Sequence, residues 1–324
     1  MTSSFPSDGN VASAYAEIWG PVYWGFCATL VLCGVSTLQG YHYFTRYNDK
    51  QFIRFLAGFI LLLDFVSMAL ICQSAYYYMI PHYGSLAPLN AVTGELSAEC
   101  LISAIITFIS QMYFVYQLQI VGSQTRVASL MSFTTGLLGV VSLAGGIGCA
   151  AVMFIHPQSI FMDRNRSFII LAGINKAFGA GADVVATIAM CMFLKSADTG
   201  ISGTSSLLRS LMHLVINRGL LVTFGQTLMF ILFFTSTARL YWVAVHINTT
   251  KLYVNTFFAM LNARTSGQDA YSPHFSVGGF SSGRAETVVQ RESSQEIEKF
   301  SELNSHNFGL DAIKVTTTST VIEM

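Results

Sequence analysis

Seven long apolar stretches follow one another along the chain, and short polar segments separate them. They cover residues 20–43, 55–78, 97–121, 130–155, 168–194, 211–235 and 239–264. A helix of about 20 residues rises about 1.5 Å per residue and so crosses the hydrocarbon core of a bilayer. The pattern therefore predicts an all-α membrane protein, built as a bundle of seven transmembrane helices.

The seventh stretch is more polar than the other six. It carries His246, Asn248, Lys251, Asn255 and Asn262, and a lysine near the middle of a span costs about 2.5–3.5 kcal/mol on insertion scales. At about 100° per residue, Lys251 and the three asparagines fall on one face of the helix. We expect this helix to be stable only where other helices cover that polar face.

Composition supports the membrane assignment. Hydrophobic residues make up 52% of the chain and charged residues only 10%, whereas a soluble domain carries about 25% charged residues. The lipid bilayer is therefore the expected main partner, in the plasma membrane or an endomembrane. The net charge is zero, which gives no basis for binding nucleic acid.

Lysine and arginine counts predict how the chain is oriented. Seven lie in the segments on one side of the predicted membrane and three on the other, and the richer side is normally cytosolic. We expect an extracellular N-terminal segment at residues 1–18, a transmembrane domain at residues 19–264 and a cytosolic tail at residues 265–324. The six prolines are all expected at helix ends, in loops or in the tails, so that none interrupts a helix.

The tail, residues 265–324, has eight acidic and four basic residues and is rich in serine and threonine. It has no apolar period that would bury a core, so we predict that it is disordered. A solvated spacer is the first interpretation. A cytosolic partner that binds residues 315–324 as an added strand is the alternative.

Ionisable residues inside predicted spans are few, and they are the candidate site. The buried polar cluster, with a structural or a ligand-binding role, is Asp64, Asp183, Arg218, Lys251, Asn255 and Asn262. Asp64 and Lys251 lie about 13 and 16 Å from the predicted cytosolic end of their helices, and Asp183 and Arg218 about 15 and 12 Å. Because unpaired buried charges are costly, we predict the pairs Asp64–Lys251 and Asp183–Arg218.

Two further ionisable residues lie near the predicted outer surface. Glu99 begins the third helix and His246 lies in the outer third of the seventh. Either residue could contact a ligand, but interfacial solvation explains both equally well.

The segment KLYVNTFFAMLNAR at the end of the seventh stretch resembles the ending of a large basidiomycete family of seven-helix membrane proteins. Their C-terminal half is a fungal domain of unknown function. Gly20-Pro21, Leu63-Asp64, Asp183 and Gly219-Leu220-Leu221 are similar to that family as well, whereas Arg218 replaces a residue that is usually small and polar. The resemblance implies a fold and a membrane location but no activity.

Several functions fit a seven-helix membrane protein, and the sequence leaves them open. A receptor-like sensor for an unknown small ligand is the first hypothesis, although the chain lacks an acidic-Arg-Tyr triplet and an Asn-Pro-x-x-Tyr motif. A transporter, a lipid-handling protein or a scaffold is the alternative. A retinal photoreceptor is suggested only by Lys251. No catalytic, metal-ligand or phosphate-binding spacing is present, so we expect neither an enzyme nor a cofactor.

Overall fold

The computed structural model describes residues 8–83, 85, 90–122, 125–157, 165–196, 202–235 and 240–263. Within these residues the chain forms seven α-helices and no strand. The helices are α1 (Asp8–Arg46), α2 (Gln51–Met79), α3 (Gly94–Val121), α4 (Arg126–Ile155), α5 (Arg166–Ser196), α6 (Ser202–Thr235) and α7 (Tyr241–Asn262). The predicted tail, residues 265–324, lies outside the described part of the chain.

The predicted helices are present in the predicted order, and two of them start much earlier than the apolar pattern suggests. α1 begins at Asp8 and α6 at Ser202, because helical structure continues beyond the apolar stretch into polar residues. Pro21 consequently lies inside α1, which continues through it, so the prediction that every proline lies at a helix end, in a loop or in a tail was wrong. The starts of α3 and α4 are fixed by threonine N-caps, since Thr93 and Thr125 accept hydrogen bonds from Leu96 N and Ala128 N.

Six of the seven helices, α1 to α6, contain segments long and apolar enough to cross a membrane. They present large apolar side chains on the outside of the bundle, such as Phe52 and Phe55 at 73% and 72% exposure. An exposed apolar surface of this extent is expected where lipid replaces water as the solvent. The described chain is therefore an apolar helical bundle of an integral membrane protein.

α7 differs from the other helices because none of its 22 residues is exposed. Consecutive helices pack against each other, α7 packs against α1 to close a ring, and α2 and α3 also contact α7. A helix enclosed in this way meets protein rather than lipid, so its polar residues carry no penalty of exposure to hydrocarbon. This enclosure explains how α7 can be polar in sequence, since α7 is not among the six helices that are long and apolar enough to cross a membrane.

Two hydrophobic clusters fill the bundle, one towards each end. The cluster at the end where α7 finishes includes Tyr43, Ile60 and Phe257. The cluster at the end where α7 begins includes Trp19, Phe168 and Trp242. Buried polar and charged side chains lie between the two clusters, and they form the candidate site.

Candidate functional site

Asp64 on α2 and Lys251 on α7 form an ion pair in the middle of the bundle. Lys251 Nζ lies 2.7 Å from Asp64 Oδ1, and both side chains are fully buried. Lys251 also donates to the Asp64 carbonyl oxygen at 3.0 Å, and Ser36 Oγ on α1 donates to Asp64 Oδ2 at 2.6 Å. The predicted pair is therefore present, and its hydrogen bonds compensate the desolvation of both charges.

A second buried pair joins Glu99 on α3 to His246 on α7. His246 Nε2 lies 3.1 Å from Glu99 Oε2, and the Glu99 side chain has no exposure. Interfacial solvation therefore does not account for these residues, and that interpretation was wrong. The physical reason is that Glu99 on α3 and His246 on α7 face each other inside the bundle. Each side chain is therefore the polar partner of the other in place of water.

Ser67 on α2 connects the two pairs. Its hydroxyl donates to Glu99 Oε1 at 3.3 Å, and Lys251 Nζ donates to Ser67 Oγ at 3.4 Å. We call the connected set the polar network. Its members are Ser36, Asp64, Ser67, Glu99, His246 and Lys251. The network links α1, α2, α3 and α7 through side chains at the middle of the bundle.

The predicted pair of Asp183 and Arg218 is not formed. Among the described residues no ion pair within 4 Å joins them, although Arg218 is close enough to attract the Asp183 carboxylate. Asp183 instead accepts a short hydrogen bond from the Tyr253 hydroxyl, and Tyr253 in turn accepts from Gln226 Nε2 at 3.0 Å. Equal depth along two helices does not determine how each helix is rotated about its axis. In this bundle the rotation brings the Tyr253 hydroxyl of α7 into contact with Asp183.

Arg218 has partners of its own on α3. Its guanidinium donates to Ser110 Oγ at 3.1 Å and lies over the Phe114 ring, 4.1 Å from the ring centroid. It also contacts the Met260 sulfur of α7 at 3.1 Å. A planar guanidinium satisfied by stacking and by hydroxyl contacts can remain buried without a carboxylate partner.

Asn255 and Asn262 do not join the charged residues. Their side-chain amides donate to the backbone carbonyl oxygens of Leu32 and Gln39 on α1, each at 3.0 Å. Asn248 makes the same contact with Gly25 O at 2.9 Å. The three asparagines therefore form a ladder that attaches α7 to α1, and the predicted cluster of six residues divides into separate parts.

A cavity of about 30 Å³ lies beside the polar network, at the end of the bundle where α3, α5 and α7 begin. A cavity needs about 10–15 Å³ to hold one water molecule, so this one has room for about two. Its apolar walls come from five helices, and its polar lining consists of Asn175, Lys176 and His246. The apolar lining residues are Leu96, Cys100, Cys149, Met153, Phe168, Ala172, Met229, Phe233, Trp242 and Val243.

Lys176 on α5, like Glu99 and His246, belongs to this site but not to the candidate set of six residues. Its side chain is buried, with 8% exposure, and lines the cavity, and it makes no hydrogen bond to another described residue. Buried cations of the described bundle otherwise have partners, as Lys251 and Arg218 do. The sequence contained a signal, because Lys176 lies seven residues before Asp183 and so on the same side of α5. Nothing in the sequence indicated the apolar cavity around it.

The described side chains of the site offer hydrogen bonding and charge. Among the described residues, no three His, Cys, Asp or Glu side chains come close enough together to hold a metal ion. Lys251, the residue that suggested a retinal photoreceptor, has no exposed side-chain surface and contacts Asp64 and Ser67. The site therefore adds no support to the retinal hypothesis.

Comparison with known proteins gives one similarity, in the C-terminal part of the bundle. Residues 179–266 match DUF6534, a family of unknown function. The matched range contains Asp183, Arg218 and the whole of α7. No curated protein and no solved structure matches the chain significantly. Over residues 179–266 the chain is thus similar to a family of unknown function.

Proposed function

We propose that this protein is a receptor-like sensor with seven membrane spans. In this proposal its N-terminus is outside, its C-terminal tail is cytosolic, and α7 is the seventh span. The observation that carries the proposal is the polar network, which begins at the cavity with His246 and Glu99 and continues through Ser67 and Lys251 to Asp64. A small molecule that enters the cavity would act directly on one end of this network.

The network gives a physical route from the cavity to several helices. A change in charge or hydrogen bonding at His246 alters the hydrogen bonds that Glu99 accepts. Glu99 and Lys251 are both hydrogen-bonded to Ser67, so Ser67 connects this change to Lys251. Because these groups are buried, each lost hydrogen bond must be replaced by another, which favours a small number of discrete arrangements. A ligand that stabilises one arrangement over another would shift the population of the bundle.

The orientation rests on the count of basic residues in the sequence. Seven lysine and arginine residues lie in the segments on the proposed cytosolic side, compared with three on the other side. The cavity is then extracellular or lumenal, and the serine-rich and threonine-rich tail faces the cytosol, where a partner could bind it. Different reporter tags at the two termini, assayed in intact and permeabilised cells, test this orientation.

Hydrogen exchange of the full chain, measured by mass spectrometry, tests the sensor proposal without a known ligand. The variant E99Q removes the charge at the cavity end of the network. In a sensor it should change exchange at the opposite end of the bundle, around Arg46, Gln51 and Arg126. The variant E95Q is the matched control, because Glu95 lies one turn earlier on α3 and outside the network. Changes confined to the first turns of α3 and α7 would contradict the sensor and favour a scaffold.

A proton-coupled transporter is the second candidate, because buried carboxylates such as Asp64, Glu99 and Asp183 are typical of proton pathways in membranes. The packing supports it less well, since the side chains of Asp64 and Lys251 have no exposure to a water-sized molecule. Proteoliposomes that contain a pH-sensitive dye test this candidate. Proton flux in the wild type that D64N abolishes would favour the transporter over the sensor.

A further inference from the structure

Lys176 presents an unsatisfied charge to an otherwise apolar cavity. A buried ammonium group without hydrogen bonds is energetically costly, because it has lost its water and gained no acceptor. Glu99 attracts it electrostatically, but no hydrogen bond joins the two side chains, and Glu99 accepts instead from His246 and Ser67. Among the described residues Lys176 is thus a buried cation without a hydrogen-bond acceptor, on the wall of a space that can hold one.

His246 offers a second unused polar atom at the same cavity. Its Nε2 is engaged by Glu99, whereas its Nδ1 is buried and has no hydrogen-bond partner. The rest of the lining is mainly apolar and includes the side chains of Met153 and Met229. Methionine side chains are flexible and adapt to the shape of what packs against them, so the walls can close around a small apolar group such as a methyl group.

The combination of walls and charge restricts the ligand chemistry. An inorganic anion would satisfy Lys176 but would gain nothing from the apolar lining, whereas a neutral hydrocarbon would leave the ammonium group unpaired. A carboxylate attached to a methyl group satisfies both. Acetate, with four non-hydrogen atoms, is about the size of the two water molecules for which the cavity has room.

We infer that the cavity binds a small monocarboxylate of the size of acetate, with Lys176 receiving the carboxylate and the apolar walls enclosing the methyl group. This inference rests on the proposed function in that it names the class of ligand that the sensor would recognise. Lys176 is then the residue that selects charge, and the cavity walls select length. His246 Nδ1 lies on the same cavity, so an occupant can act directly on the polar network.

Radioligand binding with the full chain in phosphatidylcholine nanodiscs tests the inference, with ¹⁴C-labelled acetate as the probe. Unlabelled monocarboxylates from formate to octanoate serve as competitors, and ethanol serves as the uncharged competitor of the same length. The wild type should bind acetate, and octanoate and ethanol should each compete at least tenfold more weakly than unlabelled acetate. Equal competition by ethanol or by octanoate, or no binding of acetate, would overturn the inference.

Two variants test the role of Lys176 itself. K176M removes the charge and keeps most of the length of the side chain, and it should weaken acetate binding at least tenfold. K195M removes an exposed lysine from the last turn of the same helix and should leave binding unchanged. Unchanged binding by K176M would overturn the assignment of Lys176.

A third variant covers the case in which K176M does not fold. A172L fills the cavity without removing a charge, and it should abolish the rise in unfolding temperature that acetate causes in the wild type. A rise that persists in folded A172L would place the carboxylate elsewhere and overturn the inference. The exchange measurement with E99Q uses no carboxylate, so failure of this inference and failure of the sensor proposal give different results.

Discussion

Lys251 shows how a residue that is unfavourable in one environment becomes stabilising in another. In lipid its ammonium group would cost several kcal/mol, yet in the bundle it contacts Asp64 at 2.7 Å and Ser67 at 3.4 Å. The free energy of the pair depends on both members being present, because either charge alone would stay buried without compensation.

The first prediction concerns this pair. D64N should lower the free energy of unfolding by about 3–5 kcal/mol, because it leaves the Lys251 ammonium group buried without its counter-charge. The double variant D64N/K251M removes both charges and should recover part of that loss. Unfolding by SDS titration of the wild type, both single variants and the double variant measures the coupling as a double-mutant cycle. Losses that simply add would show that the two residues do not interact.

The residue scale also shows the limit of depth matching along helices. Distance from a helix end, read from the sequence, brought Asp64 and Lys251 together correctly but paired Asp183 with Arg218 wrongly. The difference lies in rotation about the helix axis and in the reach of Tyr253, whose hydroxyl contacts Asp183. Neither quantity can be read from a linear count of residues.

At the scale of elements, α1 and α7 form a close parallel pair. The asparagines at positions 248, 255 and 262 donate to carbonyl oxygens of residues 25, 32 and 39, so both series repeat every seven residues. The register is constant over the length of the contact. A repeat of seven residues returns a helix to nearly the same face, which lets two packed helices keep contact over several turns.

The second prediction tests how close these two helices are. A Cβ atom at Gly25 would lie 2.7 Å from the Cβ atom of Ala244 and 2.8 Å from its Cα atom, so G25A must move one backbone away from the other. We expect it to lower the free energy of unfolding by about 1–3 kcal/mol.

The matched control for this variant is G34A on the same helix. A Cβ atom at Gly34 has no neighbour within 4 Å. G34A should therefore be neutral, or stabilising by up to about 1 kcal/mol, because alanine favours a helix more than glycine does. Equal effects of the two variants in thermal unfolding would contradict close packing of α1 on α7.

The third prediction concerns the asparagine ladder. Each of N248A, N255A and N262A should cost about 0.6 kcal/mol, which is typical of interhelical hydrogen bonds in membranes, and the triple variant about 2 kcal/mol. N217A on α6 is the control, because Asn217 is exposed. SDS titration measures these losses, and a triple variant as stable as N217A would show that the ladder does not hold α7 to α1.

At the scale of the whole molecule, the enclosure of α7 means that this helix depends on the folded bundle for a stable position in the membrane. Six helices are apolar enough to cross a membrane by themselves, whereas α7 is not among them and has no exposed residue. Its polar side chains are compensated only after α1, α2 and α3 surround it. α7 should therefore depend on the other helices for a stable transmembrane position.

The fourth prediction follows from this dependence. Fused alone to a glycosylation-based insertion reporter, α7 should insert poorly and α2 efficiently. K251L should increase insertion of isolated α7, because it removes a cost of about 2.5–3.5 kcal/mol. In the full chain, K251L should instead lower the free energy of unfolding, since Asp64 would remain buried and unpaired. Opposite signs in the two assays are the expected result, and equal signs would contradict the enclosure of α7.

The sequence by itself determined the class of protein, the number and order of the helices in the described chain, and the residues that cannot face lipid. These properties follow from apolar length and composition, which act locally along the chain. Thus Lys251 and Asp64 could be recognised as buried and in need of partners.

Only the tertiary structure decided which of these residues meet and where space remains. In the folded bundle Glu99 contacts His246, the Tyr253 hydroxyl donates to Asp183, and Lys176 lies beside an apolar cavity. The physical reason is that contacts between helices depend on their rotation, tilt and distance, which are set jointly by the packing of the whole bundle. No single helix carries that information in its own sequence.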